Sequence, residues 1–493
     1  MTARSARRPG ARHRDRSRGR RRFSVADEEN CYIDSPAEPN NVHLEAWVPG
    51  HLSAQRLRAA VAGVLADSPQ VRIRRVGTRW RARYGWECPP EPDIDPVSVL
   101  GWRTDAELAK ARAAFLDVAP ELSHCPPFQL LLAQGPEWDS LILNAHHAAF
   151  DGRSCVRLLT LIADRYSGRA YDAETAAPGR DVARQGHGAA TPARAGTAIR
   201  RTGRPARIAA QHDDGRQAAV SGYGLSLLEW PGVPARPVGA AGGQSATVND
   251  LLIAALAQAV ARWNSARQQP PRQFRVSMPI DTRGPGQRDE FGNLSRLATI
   301  MVSPSLRADQ TAVVASQTRQ AKEDDSTLVS PLRAAVAVSP LPVPVKGSLA
   351  RLGLRSLGSV TCDTTLLSNL GNLSQAPAFG TLVPTSIWFS TSAHMPRGLS
   401  VGAVTVGGRL HLCFRYRTAL LDEAAGNAFA AEFARALAAL SPPEDLPGLP
   451  APAPPTVLPT AVPTALPAAL PAALPAVLPA AWWAGQTAGW VGQ

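Results

Sequence analysis

Apolar positions recur along this chain with two periods, one near two residues and one near 3.6, and the switches between them mark its elements. Residues 40–50, NNVHLEAWVPG, alternate as a half-buried strand does, and residues 53–69 carry Leu57, Val61 and Leu65 at helical spacing. Residues 70–77 and 79–86 then read as a hairpin. FQLLLAQ (128–134) and SLILNA (140–145) flank the turn-rich GPEWD, which predicts an antiparallel pair. After Gly152 the period lengthens: Cys155, Leu158, Leu159, Ile162, Ala163 and Tyr166 trace one helical face that closes at Gly168. A second set of patterns begins with SATVNDLLIAALAQAVARW (245–263), a largely buried helix opened by a Ser or Thr cap. FRVSMPIDTR (274–283), LATIMVSPS (297–305) and SVTCDTTLLSNLG (359–371) read as strands, and residues 400–417 as a hairpin around Gly407-Gly408. The last helix is LDEAAGNAFAAEFARALAAL (421–440). Two α/β blocks result, residues 25–168 and 218–442.

Charge alters this picture only at the margins. The formal net charge of the 493 residues is +13, but residues 1–24 carry ten arginines against Asp15 alone, and residues 169–217 carry nine arginines against five acids, so the two blocks are near neutral. Both basic stretches lack the large apolar residues that would offset ordering entropy, which predicts a disordered tail (1–24) and a disordered linker (169–217). With no recognisable nucleic-acid module, a nucleic-acid partner is not expected. Six cysteines without a C-x-x-C pair argue against a zinc site or a disulfide framework and fit a reduced, cytoplasmic setting. RRRFS (20–24) is followed by VADEENCYIDS where an export signal would need an apolar segment. Residues 443–493 are rich in Pro, Ala and Leu. Proline at every fourth position from 459 to 479 breaks any spanning helix, leaving a semi-rigid extended tail that ends near Trp482, Trp483 and Trp490.

The chemistry concentrates at HHAAFDG, residues 146–152, where a strand ends and a helix begins. Adjacent histidines on a strand point to opposite faces, and neither has an H-x-x-x-H or carboxylate companion at helical spacing, so no metal site is expected. A neutral imidazole at physiological pH suits a general base.

HHAAFDG is similar to the HHxxxDG motif of the chloramphenicol acetyltransferase-like superfamily, which includes nonribosomal peptide synthetase condensation domains and stand-alone acyltransferases. Residues 52–74, 126–135 and 247–263 resemble its early elements, and PIDTRGPGQRDEFGN (279–293) and LLSNLG (366–371) its later motif regions. The similarity spans about residues 40–442, apart from the linker. The DFGWG-type signature of plant members is absent; SNLGNLSQAP stands in its place. The resemblance implies two two-layer α/β subdomains set in a V around a substrate tunnel. It implies that His147 is the catalytic residue and that His146, Asp151, Gly152 and Arg283 are structural, with Asp151 in a buried ion pair for which Arg283 is the expected partner. Arg283 as a plain surface residue remains the alternative. Gly152 lets the backbone turn where a side chain would clash. Ser368 and Asn369 are weaker candidates for lining the tunnel or contacting the acyl oxygen, and a simple turn is preferred to a catalytic role for them.

The expected activity is transfer of an acyl or aminoacyl group from a carrier-protein thioester, supplied in trans, to the amine or hydroxyl of a small-molecule acceptor in a natural-product pathway. A coenzyme A donor with ester formation, as in wax ester or lipid-associated members, is the second reading. A non-catalytic scaffold that keeps the fold is the third. No bound cofactor is expected; the donor is a phosphopantetheine or coenzyme A thioester.

Overall fold

The computed structural model describes residues 20–77, 80–169, 204–211, 222–234, 246–287, 289–303, 309–323, 339–373, 375–441 and 456–458. Its first part runs β1 (Arg20–Arg22), α1 (Val25–Tyr32), β2 (Asn41–Pro49), α2 (Ala54–Asp67), β3 (Arg74–Val76), β4 (Gly85–Glu87), β5 (Val97–Gly101), α3 (Asp105–Leu116), β6 (Phe128–Gln134), β7 (Trp138–His146) and α4 (Gly152–Tyr166). The second runs β8 (Tyr223–Trp230), α5 (Val248–Ser265), β9 (Phe274–Asp281), β10 (Ser295–Val302), α6 (Gln310–Glu323), α7 (Val343–Thr361), β11 (Thr365–Leu373), β12 (Ser386–Thr391), β13 (Leu399–Val406), β14 (Arg409–Arg417), α8 (Glu423–Leu440) and β15 (Thr456–Leu458).

The first sheet has the order β12-β2-β7-β6-β5. Helices α2 and α4 pack side by side against it and close a core with Leu44, Leu57, Val61, Leu143, Leu158 and Ile162 fully buried. Each helix begins on the side chain its sequence offers: Ser53 accepts from the Arg56 N–H, and Asp151 from the Ser154 N–H. All six apolar residues of the predicted α4 face are buried.

The second sheet has the order β10-β9-β11-β13-β14-β8-β15. Helix α5, opened by a Thr247/Asp250 capping box, and α8, capped by Asp422, fill its core with Leu252, Leu256, Phe429 and Phe433. Strand β12 does not join this sheet. It pairs antiparallel with β2, Trp388 opposite Glu45, so the second block supplies the edge strand of the first sheet.

Three stretches differ from the sequence-based expectation. Residues 20–24, assigned there to the disordered tail, form β1 and the cap of α1, because Phe23 finds a buried place stacked 4.3 Å from Trp86. Residues 204–211 of the expected linker lie along the second core: Ala206, Ile208 and Ala209 are buried, and Trp263 Nε1 donates to the Ala209 carbonyl at 3.0 Å. The strand expected over residues 359–371 starts only at Thr365, since Ser359–Thr361 finish α7. Within the Pro-rich tail, β15 pairs with β8. The remainder of both tails and of the linker lies outside the described residues. No helix among the described residues is long and apolar enough to cross a membrane.

Candidate active site

Strand β7 delivers the two histidines to a corner. Its last residue, His146, pairs with Asn41 of β2. The chain then turns as the Ala149 and Phe150 N–H groups donate back to the His146 carbonyl, at 2.9 and 3.2 Å, while the His147 N–H donates to Asn40 O at 2.9 Å. The His146 ring points into the protein: its Nδ1 accepts from the Ala148 N–H at 3.0 Å, and its Nε2 lies 3.5 Å from Asp34 Oδ2. Burial of Asp34 favours its neutral form, but the His146 ring and the Asn40 N–H outweigh that and hold its carboxyl below the usual value.

His147 points the other way, into a cavity of about 560 Å³. Asp151, Gly152, Arg283, Ser368 and Asn369 also line it, so every candidate except the inward-facing His146 converges on one space. Met278, Ile280, Leu366 and Phe389 give that space an apolar side. His147 Nδ1 is buried with no hydrogen-bond partner, and burial pushes the imidazole pKa below the ordinary histidine value, with the Asp151 charge working against the shift.

Asp151 is committed to structure. Arg283 approaches both its oxygens, Nη1 at 2.9 Å from Oδ2 and Nη2 at 3.0 Å from Oδ1. The Ser154 and Leu294 N–H groups donate to Oδ1 and Oδ2 at 2.8 and 3.1 Å. The guanidinium is 1% exposed and also donates to the Glu290 and Gly292 carbonyls, which excludes the plain surface reading of Arg283. Gly152 is required by space and not by backbone conformation. A Cβ there would lie 2.8 Å from Phe389 Cζ and 2.9 Å from Leu370 Cδ2.

Ser368 and Asn369 lie on β11 beside an irregularity in its pairing with β13. Asn369 Oδ1 accepts from the Gly371 N–H at 2.8 Å, and Gly371 takes φ +80°, so this stretch is an irregular strand lining the cavity and not the simple turn the sequence also allows.

Three contributors went unread in the sequence. Asn293 donates to the Ala148 carbonyl at 2.8 Å and to Asp27 Oδ1 at 3.2 Å, tying α1 to the corner. Ser154 Oγ donates to Gly292 O at 3.1 Å and accepts from the Gly292 N–H at 3.1 Å. Its place three residues after a capping Asp was a usable signal; Asp34, distant in the sequence from His146, offered none. Among the described residues no three His, Cys, Asp or Glu side chains converge as a metal site.

No family model matches the chain. Two curated relatives, the uncharacterized proteins Rv2305 and MT2362 of two Mycobacterium tuberculosis strains, are each 31% identical over 426 residues, covering 80% of this chain and 93% of the relative. Among solved structures, the cyclization-docking bidomain of the EpoB nonribosomal peptide synthetase from Sorangium cellulosum is similar at a TM-score of 0.56 and 13% identity, over 86% of this chain and 84% of that one. The condensation domain of the monacolin K polyketide synthase MokA is similar at 0.52 and 12%, over 86% and 97%. A mutant starter condensation domain of the rhizomide synthetase RzmA, in complex with C8-CoA, is similar at 0.52 and 14%, over 84% and 92%.

Proposed function

Since the chain belongs to the family of the mycobacterial proteins Rv2305 and MT2362 and has the fold of condensation domains, we propose that it is a free-standing acyltransferase. Its reaction moves an acyl or aminoacyl group from a carrier-protein thioester to the amine or hydroxyl of a small acceptor. The observation that carries this reading is the division of labour at the corner: His147 faces the cavity while Asp151 and His146 are spent on holding the corner in shape.

With Nδ1 buried, Nε2 is the nitrogen His147 presents to the acceptor. It takes the acceptor proton as the amine nitrogen or hydroxyl oxygen attacks the thioester carbonyl. The tetrahedral intermediate then collapses with cleavage of the C–S bond, and the imidazolium returns the proton to the departing thiolate. The depressed pKa keeps the imidazole neutral and ready as a base. Ser368 and the amide NH₂ of Asn369 supply polar donors on the same wall for the developing oxyanion. The V arrangement and its central tunnel, as two subdomains meeting at this cavity, belong to the same proposal.

A coenzyme A donor is the second reading, favoured by the C8-CoA complex of the RzmA domain. The test offers one acyl chain on a phosphopantetheinylated carrier protein and on coenzyme A, with a panel of amines and alcohols. Faster transfer from the carrier supports the first reading and faster transfer from coenzyme A the second. A folded protein that transfers from neither leaves only a scaffold role.

A further inference from the structure

An aminoacyl and a fatty acyl thioester differ at the atom next to the carbonyl. The nitrogen of an α-aminoacyl group stands about 2.5 Å from the carbonyl carbon, because both are bonded to the same α-carbon. Whichever way the rest of the chain runs, that nitrogen shares the cavity with His147. An α-amino group has a pKa of about 8, so near neutral pH it enters as an ammonium. The charges that line the cavity therefore decide between the two kinds of donor.

Among the described residues, the cavity is lined by the cations Arg153, Arg283 and Lys322 and by the carboxylates Asp151 and Asp281. Both carboxylates are already held. Asp151 carries Arg283 and two backbone N–H groups. Asp281 Oδ1 accepts from the Arg283 N–H and Nη1 at 3.2 and 3.1 Å, and its Oδ2 lies 2.9 Å from Arg153 Nε. Three cations against two carboxylates leave the lining one positive charge in excess. An ammonium here gives up water and finds no counter-charge of its own. Asn293 Oδ1 is buried without a partner and could accept from it, but one amide dipole does not neutralise a cation.

We infer, on the acyl-transfer reading of this site, that the donor carries a fatty acyl chain with an uncharged α-carbon and that aminoacyl donors are refused. Met278, Ile280, Leu297, Leu366, Leu370 and Phe389 line the same space and take an aliphatic chain out of water. Leu297 is 37% exposed, so part of this apolar surface is open to a ligand. The chemistry adds to the selection. As the acceptor attacks, His147 becomes an imidazolium, and an α-ammonium beside the same carbonyl would face that new cation at the top of the barrier.

The experiment reads binding and transfer separately. Calorimetry of the full chain uses unreactive pantetheine amides that carry octanoyl, 2-hydroxyoctanoyl or 2-aminooctanoyl groups, the last two as each enantiomer. At pH 6.5 the octanoyl amide should bind about a hundredfold or more tighter than the 2-amino amide. The 2-hydroxy amide, close in size but neutral, should fall between them and near octanoyl. At pH 9 the ammonium has lost its proton and the gap should narrow. Leu297→Asp, at an exposed position of the lining, should weaken octanoyl binding and narrow the gap at pH 6.5. Transfer from the matching thioesters should follow the same order. Octanoyl binding by a wild type that transfers nothing keeps this ligand class and removes the acyl-transfer reading. Three outcomes overturn the inference: a 2-amino amide that binds as tightly as octanoyl at pH 6.5, a 2-hydroxy amide refused as strongly as the amine, and a folded wild type that binds none of the three.

Discussion

Arg283 holds Asp151 by both carboxylate oxygens, and with the Ser154 and Leu294 N–H groups it brings the carboxylate to four donors. A carboxylate offers about four lone-pair directions, so Asp151 has none left for a substrate. In the proposed mechanism it fixes the entry of α4 and, through it, the position of His147. Asp151→Asn replaces an acceptor by a donor that faces Arg283 or Leu294, and it leaves the buried guanidinium with Asp281 alone as counter-charge. The expected loss is up to about 3 kcal/mol of folding stability, with activity falling in parallel. Urea unfolding with an activity assay checks this. A variant that unfolds like the wild type but is inactive would give Asp151 a chemical role.

Gly152→Ala places a methyl where Phe389 and Leu370 already stand. Overpacking of this kind costs about 1–3 kcal/mol. Because Phe389 lies on β12, the strand that crosses between the blocks, the strain acts on the joint between the two sheets. Phe389→Leu in the Gly152→Ala background should return part of the lost stability, which a double-mutant cycle by thermal unfolding measures.

How far the sequence displays this arrangement depends on how local each determinant is. The α4 face was readable from Cys155 to Tyr166 because period, cap and terminal glycine fall within eighteen residues, Asp151 to Gly168, and agree. The corner histidines were readable as the junction of a strand pattern with a helix pattern. The pairing of Trp388 with Glu45 was not, since its two strands lie more than three hundred residues apart and nothing near SIWFST names the partner. Helix α7 was missed for another reason: apolar residues on both faces leave no single period. Phe23 was missed because one aromatic in an arginine-rich stretch signals nothing until the Trp86 surface is present to receive it.

Glu45 sits fully buried between the sheets, with Arg112 Nε and Nη2 at 2.6 and 2.7 Å and Ser140 Oγ and Trp47 Nε1 also donating to it. Burial favours the neutral acid, but the Arg112 charge and the hydrogen bonds with His43 and Arg112 hold its pKa well below the usual carboxylate value. Arg112→Ala strands that charge in the core, for an expected loss of about 3–5 kcal/mol. Arg112→Met with Glu45→Gln removes both charges and should unfold later than the single variant, as measured by chemical denaturation.

Four histidines, His43 and His411 buried and His147 and His394 half-buried, give the protein an acid limit. Burial lowers the pKa of His43 and His147, brings His411 to about 4 and His394 to about 3. Above about pH 6.5 both the native and the unfolded chain hold these rings neutral. Below it the unfolded chain takes up protons that the native protein resists, so their contribution is present above pH 6.5 and is lost as pH falls toward the folded values. Each histidine contributes a slope of at most about 1.4 kcal/mol per pH unit in that window. Urea midpoints measured from pH 8 to pH 5 should stay level down to about pH 6.5 and decline below it, and a profile flat throughout would contradict the desolvation of these rings.

His147 separates an enzyme from a scaffold. If its imidazole is the base, His147→Ala should lower single-turnover acyl transfer by about 10²–10⁴ while the melting curve stays near that of the wild type, because the ring faces a cavity and its Nδ1 makes no hydrogen bond. His146→Ala should show the reverse emphasis, since its ring accepts the Ala148 N–H and stands beside Asp34, so stability falls along with rate. The depressed His147 pKa adds a second readout. The acid limb of the wild-type rate should lie below the ordinary histidine value, and His147→Ala should abolish that limb. Acceptors of graded basicity sharpen the result: an alcohol, which must lose its proton as it attacks, should suffer more from the substitution than an amine that attacks readily as the free base. Transfer by His147→Ala at the wild-type rate with every acceptor would take the imidazole out of the chemistry.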